Sequence, residues 1–224
     1  MRRVFELARL VRERVGPEVP ISGPDFQSAF DIAALVWRKQ DLFQAIYDSP
    51  ASVERLVGKC HRLLERFLHA YRAEIGEVTY AHCPQFWAPP ELGCSLSEDE
   101  AGALSPAVFE RFCLPSLVSL SNAFGGMFMH CCADADHQYP GFRRIPRLRG
   151  LNRVFTRGSQ AAIDAFEGET VLMMAWIDEN TVTELLRRAR PGTRFLFNMP
   201  CGGLAQGRGL FDRLREACPR VDAR

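Results

Sequence analysis

The chain has 224 residues, with 28 basic and 27 acidic side chains and 47% hydrophobic residues, which is enough to bury the core of one domain. Its near-neutral net charge excludes the broad basic field that is typical of nucleic-acid-binding proteins. No apolar run approaches the ~20 residues that are needed to span a bilayer. Eight cysteines, two of them adjacent, are too few for a disulfide scaffold and favour a reducing compartment, so we expect one cytoplasmic domain over residues 1–224.

Helical and strand patterns alternate along the chain. Apolar residues recur at helical spacing over residues 5–15, 39–48 and 51–74, and short apolar runs at 19–21 and 78–82 predict strands. Ser105-Pro106 has the capping hydroxyl and first-turn proline of a helix start, and this helix is predicted to end at Gly125-Gly126. Further strands are predicted over residues 127–132, 151–155, 170–175 and 194–199, with helices over 159–167, 180–190 and 208–217.

Strands separated by helices indicate βαβ units and a parallel sheet. Because no Gly-x-Gly-x-x-Gly turn follows a strand, we expect a TIM (β/α)8-type barrel and not an open doubly wound sheet. Only about six of the eight βα units are visible, so either two strands are irregular or the first two units are missing.

His130 and Cys132 carry the strongest chemical signal. Alternate side chains share one face of a strand, so both point the same way at the C-terminal end of strand 127–132, where a barrel keeps its active site. Cys201 follows strand 194–199 at the equivalent place. Imidazole with two thiolates selects zinc, and an open fourth position is typical of a catalytic site. The alternative is that the thiols are small core residues and the imidazole is a hydrogen-bonded buried group.

The charge of such a site indicates its chemistry. Zinc that carries two thiolates is a poor source of hydroxide, but it holds an added thiol as a nucleophilic thiolate at neutral pH. The metal hypothesis therefore predicts alkyl transfer to sulfur.

The middle of the chain contains four distinctive stretches, at residues 95–100 (SLSEDE), 104–112 (LSPAVFERF), 124–132 (FGGMFMHCC) and 148–152 (LRGLN). Together they resemble the uroporphyrinogen decarboxylase superfamily, with a similarity that extends over residues 16–207. This resemblance implies a (β/α)8 barrel. The decarboxylases' N-terminal Arg-rich loop and substrate-binding aspartate would precede the first residue, which implies that the first two barrel units are missing.

The superfamily includes metal-free decarboxylases and zinc-dependent, corrinoid-linked methyltransferases of the coenzyme M type. The zinc motif of the methyltransferases, His-x-Cys with a distant Cys, is similar to His130, Cys132 and Cys201, and the resemblance therefore implies Zn²⁺ at these residues. The decarboxylases have a Gly-His-Gly turn where this chain has Pro200-Cys201-Gly202. Ala133 replaces the glycine that usually follows the zinc cysteine.

Four further residues are candidates for the site. Asp99, between Glu98 and Glu100, is interpreted as a catalytic contact or fourth zinc ligand over the barrel mouth, or as part of a solvated helix approach. His82, at the end of strand 78–82, is a candidate for proton transfer. Trp87 could line the site of a flat corrinoid or pack beneath its loop, and Asp25 could contact substrate or cap the next segment.

The sequence thus predicts a zinc-dependent methyltransferase that moves a methyl group between the cobalamin of a corrinoid protein and a small thiol. The alternatives are a metal-free decarboxylase of the same superfamily and a truncated subunit without catalysis. Because missing strands would leave sheet edges unpaired, a homodimer or a completing chain is also expected.

Overall fold

The computed structural model of the protein describes residues 2–75, 79–153, 158–168 and 170–218, with residues 79–82 described by their backbone. Four helices come first in the chain: α1 (Arg2–Val15), α2 (Ala29–Val36), α3 (Lys39–Asp48) and α4 (Pro50–Ile75). They agree with the predicted helices at 5–15, 39–48 and 51–74, whereas α2 was missed. Helix α4 buries one stripe at helical spacing, formed by Val53, Val57, Cys60, Leu64 and Leu68.

A two-stranded antiparallel hairpin follows, made of β1 (Thr79–His82) and β2 (Gln85–Ala88). The prediction that residues 78–82 form a strand of the parallel sheet is therefore wrong. Residues 79–82 do form a strand, but the turn at Cys83-Pro84 pairs it with the next segment of the chain; residue 78 lies outside the described residues. A hairpin needs only a short local connection, and this allows it to form without a crossover helix.

The main sheet has five parallel strands in sequential order. They are β3 (Cys94–Ser97), β4 (Met127–Cys131), β5 (Leu148–Arg153), β6 (Val171–Ala175) and β7 (Arg194–Asn198). The segment predicted as a strand at 19–21 is not one; instead, Gln27 makes a single parallel bridge to Ser97, beside β3.

Helices connect the strands, as the alternation predicted. They are α5 (Pro106–Phe112), α6 (Leu114–Phe124), α7 (Tyr139–Phe142), α8 (Gln160–Ala165), α9 (Glu179–Arg188) and α10 (Leu204–Ala217). The Ser105 hydroxyl accepts a hydrogen bond from the Val108 amide (3.3 Å), which confirms the predicted cap. Gly125, with φ of 86°, ends α6 in the left-handed conformation that glycine adopts most easily.

An α/β fold with a parallel sheet and flanking helices is therefore confirmed. The five strands of the described ranges lie in sequential order, as in a barrel, but they form an open sheet with β3 and β7 near its edges. Barrel closure stays a prediction. None of the described helices has the length and apolar character needed to cross a membrane.

The two faces of the sheet are covered differently, and this positions the site. Met127, Met129 and Cys131 of β4 belong to the large core beneath the helices. Phe128 faces the other way and packs with Ala88 of the hairpin and Met173 of β6. Because side chains alternate along a strand, His130 shares the face of Phe128, so the hairpin covers the face on which the imidazole lies.

Candidate metal centre

The imidazole of His130 is held at the C-terminal end of β4 with 7% of the residue exposed. Its Nδ1 lies 2.6 Å from Oδ1 of Asn152 on β5, while Nδ2 of Asn152 donates to the Met173 carbonyl at 2.5 Å. Since the amide nitrogen of Asn152 faces that carbonyl, its oxygen must accept from Nδ1–H of His130. This hydrogen bond leaves Nε2 as the ring nitrogen whose lone pair a metal would bind.

Cys132 and Asp99 bring two further donors to the Nε2 side of the ring. The Cys132 sulfur lies 2.7 Å from Nε2, and Asp99 Oδ1 lies 3.9 Å from the same atom. Asp99 Oδ1 also accepts a hydrogen bond from the Cys132 backbone amide (2.6 Å), which fixes the carboxylate beside the thiol. The donor atoms of Asp99, His130 and Cys132 all lie within 4.8 Å of one another.

This donor set fits zinc. Tetrahedral zinc binds nitrogen at about 2.0–2.1 Å and sulfur at about 2.3 Å, which puts such donors roughly 3.6 Å apart. The 2.7 Å contact between Nε2 and Sγ must therefore widen, and the 3.9 Å distance from Nε2 to Asp99 must shorten slightly. Cys132 is exposed, so its side chain can make this adjustment without repacking the core.

Without a metal, the Cys132 thiol holds its proton. Partial desolvation of the sulfur beside the cavity, followed by the negative charge of Asp99, raises the pKa of Cys132 to about 11. The neutral thiol can then donate to Nε2 of His130, consistent with the tautomer set by Asn152. A bound dication would reverse this preference because it stabilises a thiolate.

A cavity of about 720 Å³ opens beside these donors. His130, Cys132 and Asn152 line one side. The other side is mainly apolar and comes from β6, α9 and the residues between them, including Met174, Trp176, Ile177 and Leu185. Its volume is within the range of small-molecule sites, about 300–1,000 Å³, and its mixture of apolar wall and few polar groups is typical of them.

Arg153 anchors the loop that follows Cys132. Its side chain is 1% exposed and pairs with Asp134 at 3.2 Å and with Asp136. It also donates to the Tyr139 hydroxyl at 2.5 Å. A buried guanidinium needs such partners, and here they tie the loop at residues 133–136 to the end of β5.

The other predicted site residues do not all lie beside the three donors. It does not bring Cys201 into the group of three donors: this exposed thiol lines a separate cavity with Phe211 and Leu214 of α10. Trp87 lies on β2 with 64% of the residue exposed. The backbone of His82 lies on β1, within the hairpin, and its side chain is outside the described residues.

Asp25 lies close to the strand ends and does not cap the next helix. Its carboxylate accepts hydrogen bonds from Ser97 at 3.1 Å and Gln27 at 2.6 Å. The cap of α2 is Ser28, whose hydroxyl accepts from the Asp31 amide at 3.0 Å. The charge of Asp25 acts on the Cys132 thiol and contributes to its raised pKa.

Three residues of this region were missed by the sequence analysis. Asn152 was placed near the start of its strand and not beside the imidazole, and Cys83 was not considered although it lines the same cavity. Asp31, on the missed helix α2, accepts hydrogen bonds from the Asp99 amide at 2.6 Å and the Glu100 amide at 3.1 Å. The adjacent acidic residues Glu98 and Asp99 could be recognised in the sequence, but their partner Asp31 on α2 could not.

Glu98 and Asp31 form a buried acidic pair behind Asp99. Within the described part of the chain, neither carboxyl oxygen of Glu98 has a hydrogen-bond partner. Burial raises the pKa of Glu98 well above its usual value, and the charge of Asp31 adds to this effect. Burial likewise raises the pKa of Asp31 to about 7. The folded protein therefore binds more protons than the unfolded chain over the acidic range.

Because of this pair, we expect the free energy of unfolding to fall as pH rises. Because the pKa values of the two carboxyl groups are raised in the folded state, these groups contribute fully to stability below about pH 4. This contribution is lost as pH rises towards about 7. We expect Glu98→Gln, which keeps the shape of the neutral acid, to lose less stability than the wild type between pH 4.5 and 7.5. Urea unfolding across this range measures the difference, and parallel curves for the two proteins would contradict the prediction.

Comparison with known proteins gives no family: no protein-family model matches the chain, and no curated protein gives a significant match. The function is therefore inferred from the residues of the site itself.

Proposed function

We propose that the protein is a zinc-dependent methyltransferase that moves a methyl group from the corrinoid of a partner protein to a small thiol. The observation that carries the proposal is the convergence of Asp99, His130 and Cys132 beside a partly apolar cavity. Imidazole, thiolate and carboxylate together are a ligand set that zinc accepts. Three protein donors leave a fourth position for a ligand.

Bound zinc would lower the pKa of an added thiol, which would then be a nucleophilic thiolate at neutral pH. The chain sets the charge of the site. One thiolate, one carboxylate and a neutral imidazole balance the charge of a dication, as two thiolates with imidazole would.

The remaining side chains position the groups. Asn152 keeps the Nε2 lone pair of His130 directed at the metal position, through its own bond to the Met173 carbonyl. Met174, Ile177 and Leu185 give the cavity an apolar wall that would exclude water from a reactive thiolate. The opening of the cavity provides the route by which a methyl donor would approach.

The test uses methylcobalamin as methyl donor and 2-mercaptoethanol as thiol. We expect zinc-loaded protein to accelerate loss of methylcobalamin, followed by its absorbance, with the methylated thiol identified by mass spectrometry. Cys132→Ser should lower this rate at least about 100-fold, because a lost ligand should cost more than the 10–100-fold of an outer-shell contact. Cys218→Ser, at the end of α10, should retain it.

Metal removal separates this proposal from metal-free decarboxylation. A chelator should abolish methyl transfer, and added zinc should restore it. Turnover that continues after zinc has been removed would contradict the proposal. Release of carbon dioxide from uroporphyrinogen by the metal-free protein would instead favour the decarboxylase alternative.

A further inference from the structure

The hairpin of β1 and β2 brings a second thiol to the metal centre. The ring of Phe86 on β2 packs edge-on against Phe128 of β4, with ring centroids 5.0 Å apart. Ala88 is buried against the same face of the sheet. Phe128 is two residues before His130 and shares its face, so the hairpin is anchored directly next to the imidazole. Its turn begins with Cys83.

Cys83 lines the same 720 Å³ cavity as His130 and Cys132. Its thiol is half-buried and reduced. It is outside the group of three donors that lie within 4.8 Å of one another, so its side chain or the turn must move to complete the set. Such adjustment is easier for a residue in a turn than for one within the parallel sheet.

We propose that Cys83 supplies the second thiolate of the metal centre, so that zinc is held by Cys83, Asp99, His130 and Cys132. This inference rests on the proposed zinc centre and gives the second thiolate a different source from Cys201, which lines the cavity beside α10. Cys83 comes from the hairpin turn, whereas His130 lies on β4 and Cys132 directly follows that strand. An entering thiol would therefore replace Cys83 at the metal, and its proton would pass to the released Cys83 thiolate, so that the charge of the site stays the same. A second thiolate makes the metal softer and favours sulfur ligands over hydroxide.

Cobalt(II) is the probe that counts the thiolates. Cobalt occupies zinc sites, and its near-ultraviolet charge-transfer absorption increases with each thiolate bound. We expect the full chain to bind about one cobalt per molecule. We expect Cys83→Ser to reduce the charge-transfer absorption to roughly half at full loading and to weaken metal affinity. The matched variant Cys201→Ser should have the spectrum of the wild type.

A second measurement uses the wild-type protein and so does not depend on the folding of a variant. Zinc-loaded and metal-free protein are treated with iodoacetamide, and alkylation of each cysteine is quantified by mass spectrometry. Zinc should protect Cys83 and Cys132 and leave Cys201 reactive.

The outcomes separate the two proposals. If the cobalt spectrum of Cys83→Ser is the same as that of the wild type, the role of Cys83 alone is overturned. Zinc protection of Cys201 in place of Cys83 would overturn it too. A chain that binds neither cobalt nor zinc would contradict the metal centre itself, and with it the proposed function.

Discussion

Replacing His130 by alanine is expected to lower the zinc affinity of the protein by more than about 100-fold, since loss of an outer-shell partner alone typically costs 10–100-fold. His130 is the buried member of the donor group, and its ring is already oriented by Asn152. Cys132 and Asp99 are more exposed and would have to hold the metal without it. Titration against a chromophoric zinc chelator measures the affinity, and elemental analysis measures the zinc content.

The control is a histidine outside the donor group. His61 lies on α4 and has a contact of 2.9 Å with the Ser116 hydroxyl, away from the cavity. His61→Ala should leave zinc affinity unchanged. Equal losses in the two variants would show that the histidines affect folding in general and would count against His130 as a ligand.

Replacing Arg153 by methionine is expected to lower the free energy of unfolding by about 3 kcal/mol. Removing one partner from a buried ion pair typically costs about 3–5 kcal/mol, because it leaves the other charge uncompensated. Asp134 and Asp136 keep 36% and 25% of their side-chain area exposed, so water can compensate part of the loss and the lower end applies. Chemical denaturation followed by circular dichroism measures the change.

An exposed ion pair provides the comparison. Arg144 lies 2.8 Å from Glu110, and both side chains are about half exposed. Arg144→Met should change stability by less than about 1 kcal/mol, since water screens such pairs. A loss for Arg153→Met as small as this would mean that the loop after Cys132 does not depend on the buried guanidinium.

Part of the candidate site could be predicted from local pattern. Strand alternation over residues 127–132 predicts that His130 and Cys132 point the same way. The observed strand ends at Cys131, and Cys132, the next residue, has its sulfur 2.7 Å from Nε2 of His130. Asp99 was named because acidic residues preceded a helix start, and the structure brings its carboxylate within 3.9 Å of the imidazole. These inferences required only short-range geometry.

The partners from distant segments could not be predicted in the same way. Cys201 is a candidate because it follows its strand at the place equivalent to the end of β4, yet the thiols that share the cavity with His130 are Cys132 and Cys83. The difference arises at residues 79–88, where an expected sheet strand pairs into a hairpin and covers one face of the sheet. Hairpin pairing depends on the partner strand and on packing, and a single apolar run contains no information about either.

The sequence by itself determined the alternation of helices and strands, the parallel sheet and the common face of His130 and Cys132. These follow from apolar periodicity and from capping residues such as Ser105, which act over a few positions. Only the tertiary structure decided which groups surround the imidazole: Asn152 on one ring nitrogen, Asp99 and Cys132 beside the other, and Cys83 in the lining of the same cavity. Contacts between distant segments depend on how sheet, hairpin and α2 pack together, and that packing is a property of the whole chain.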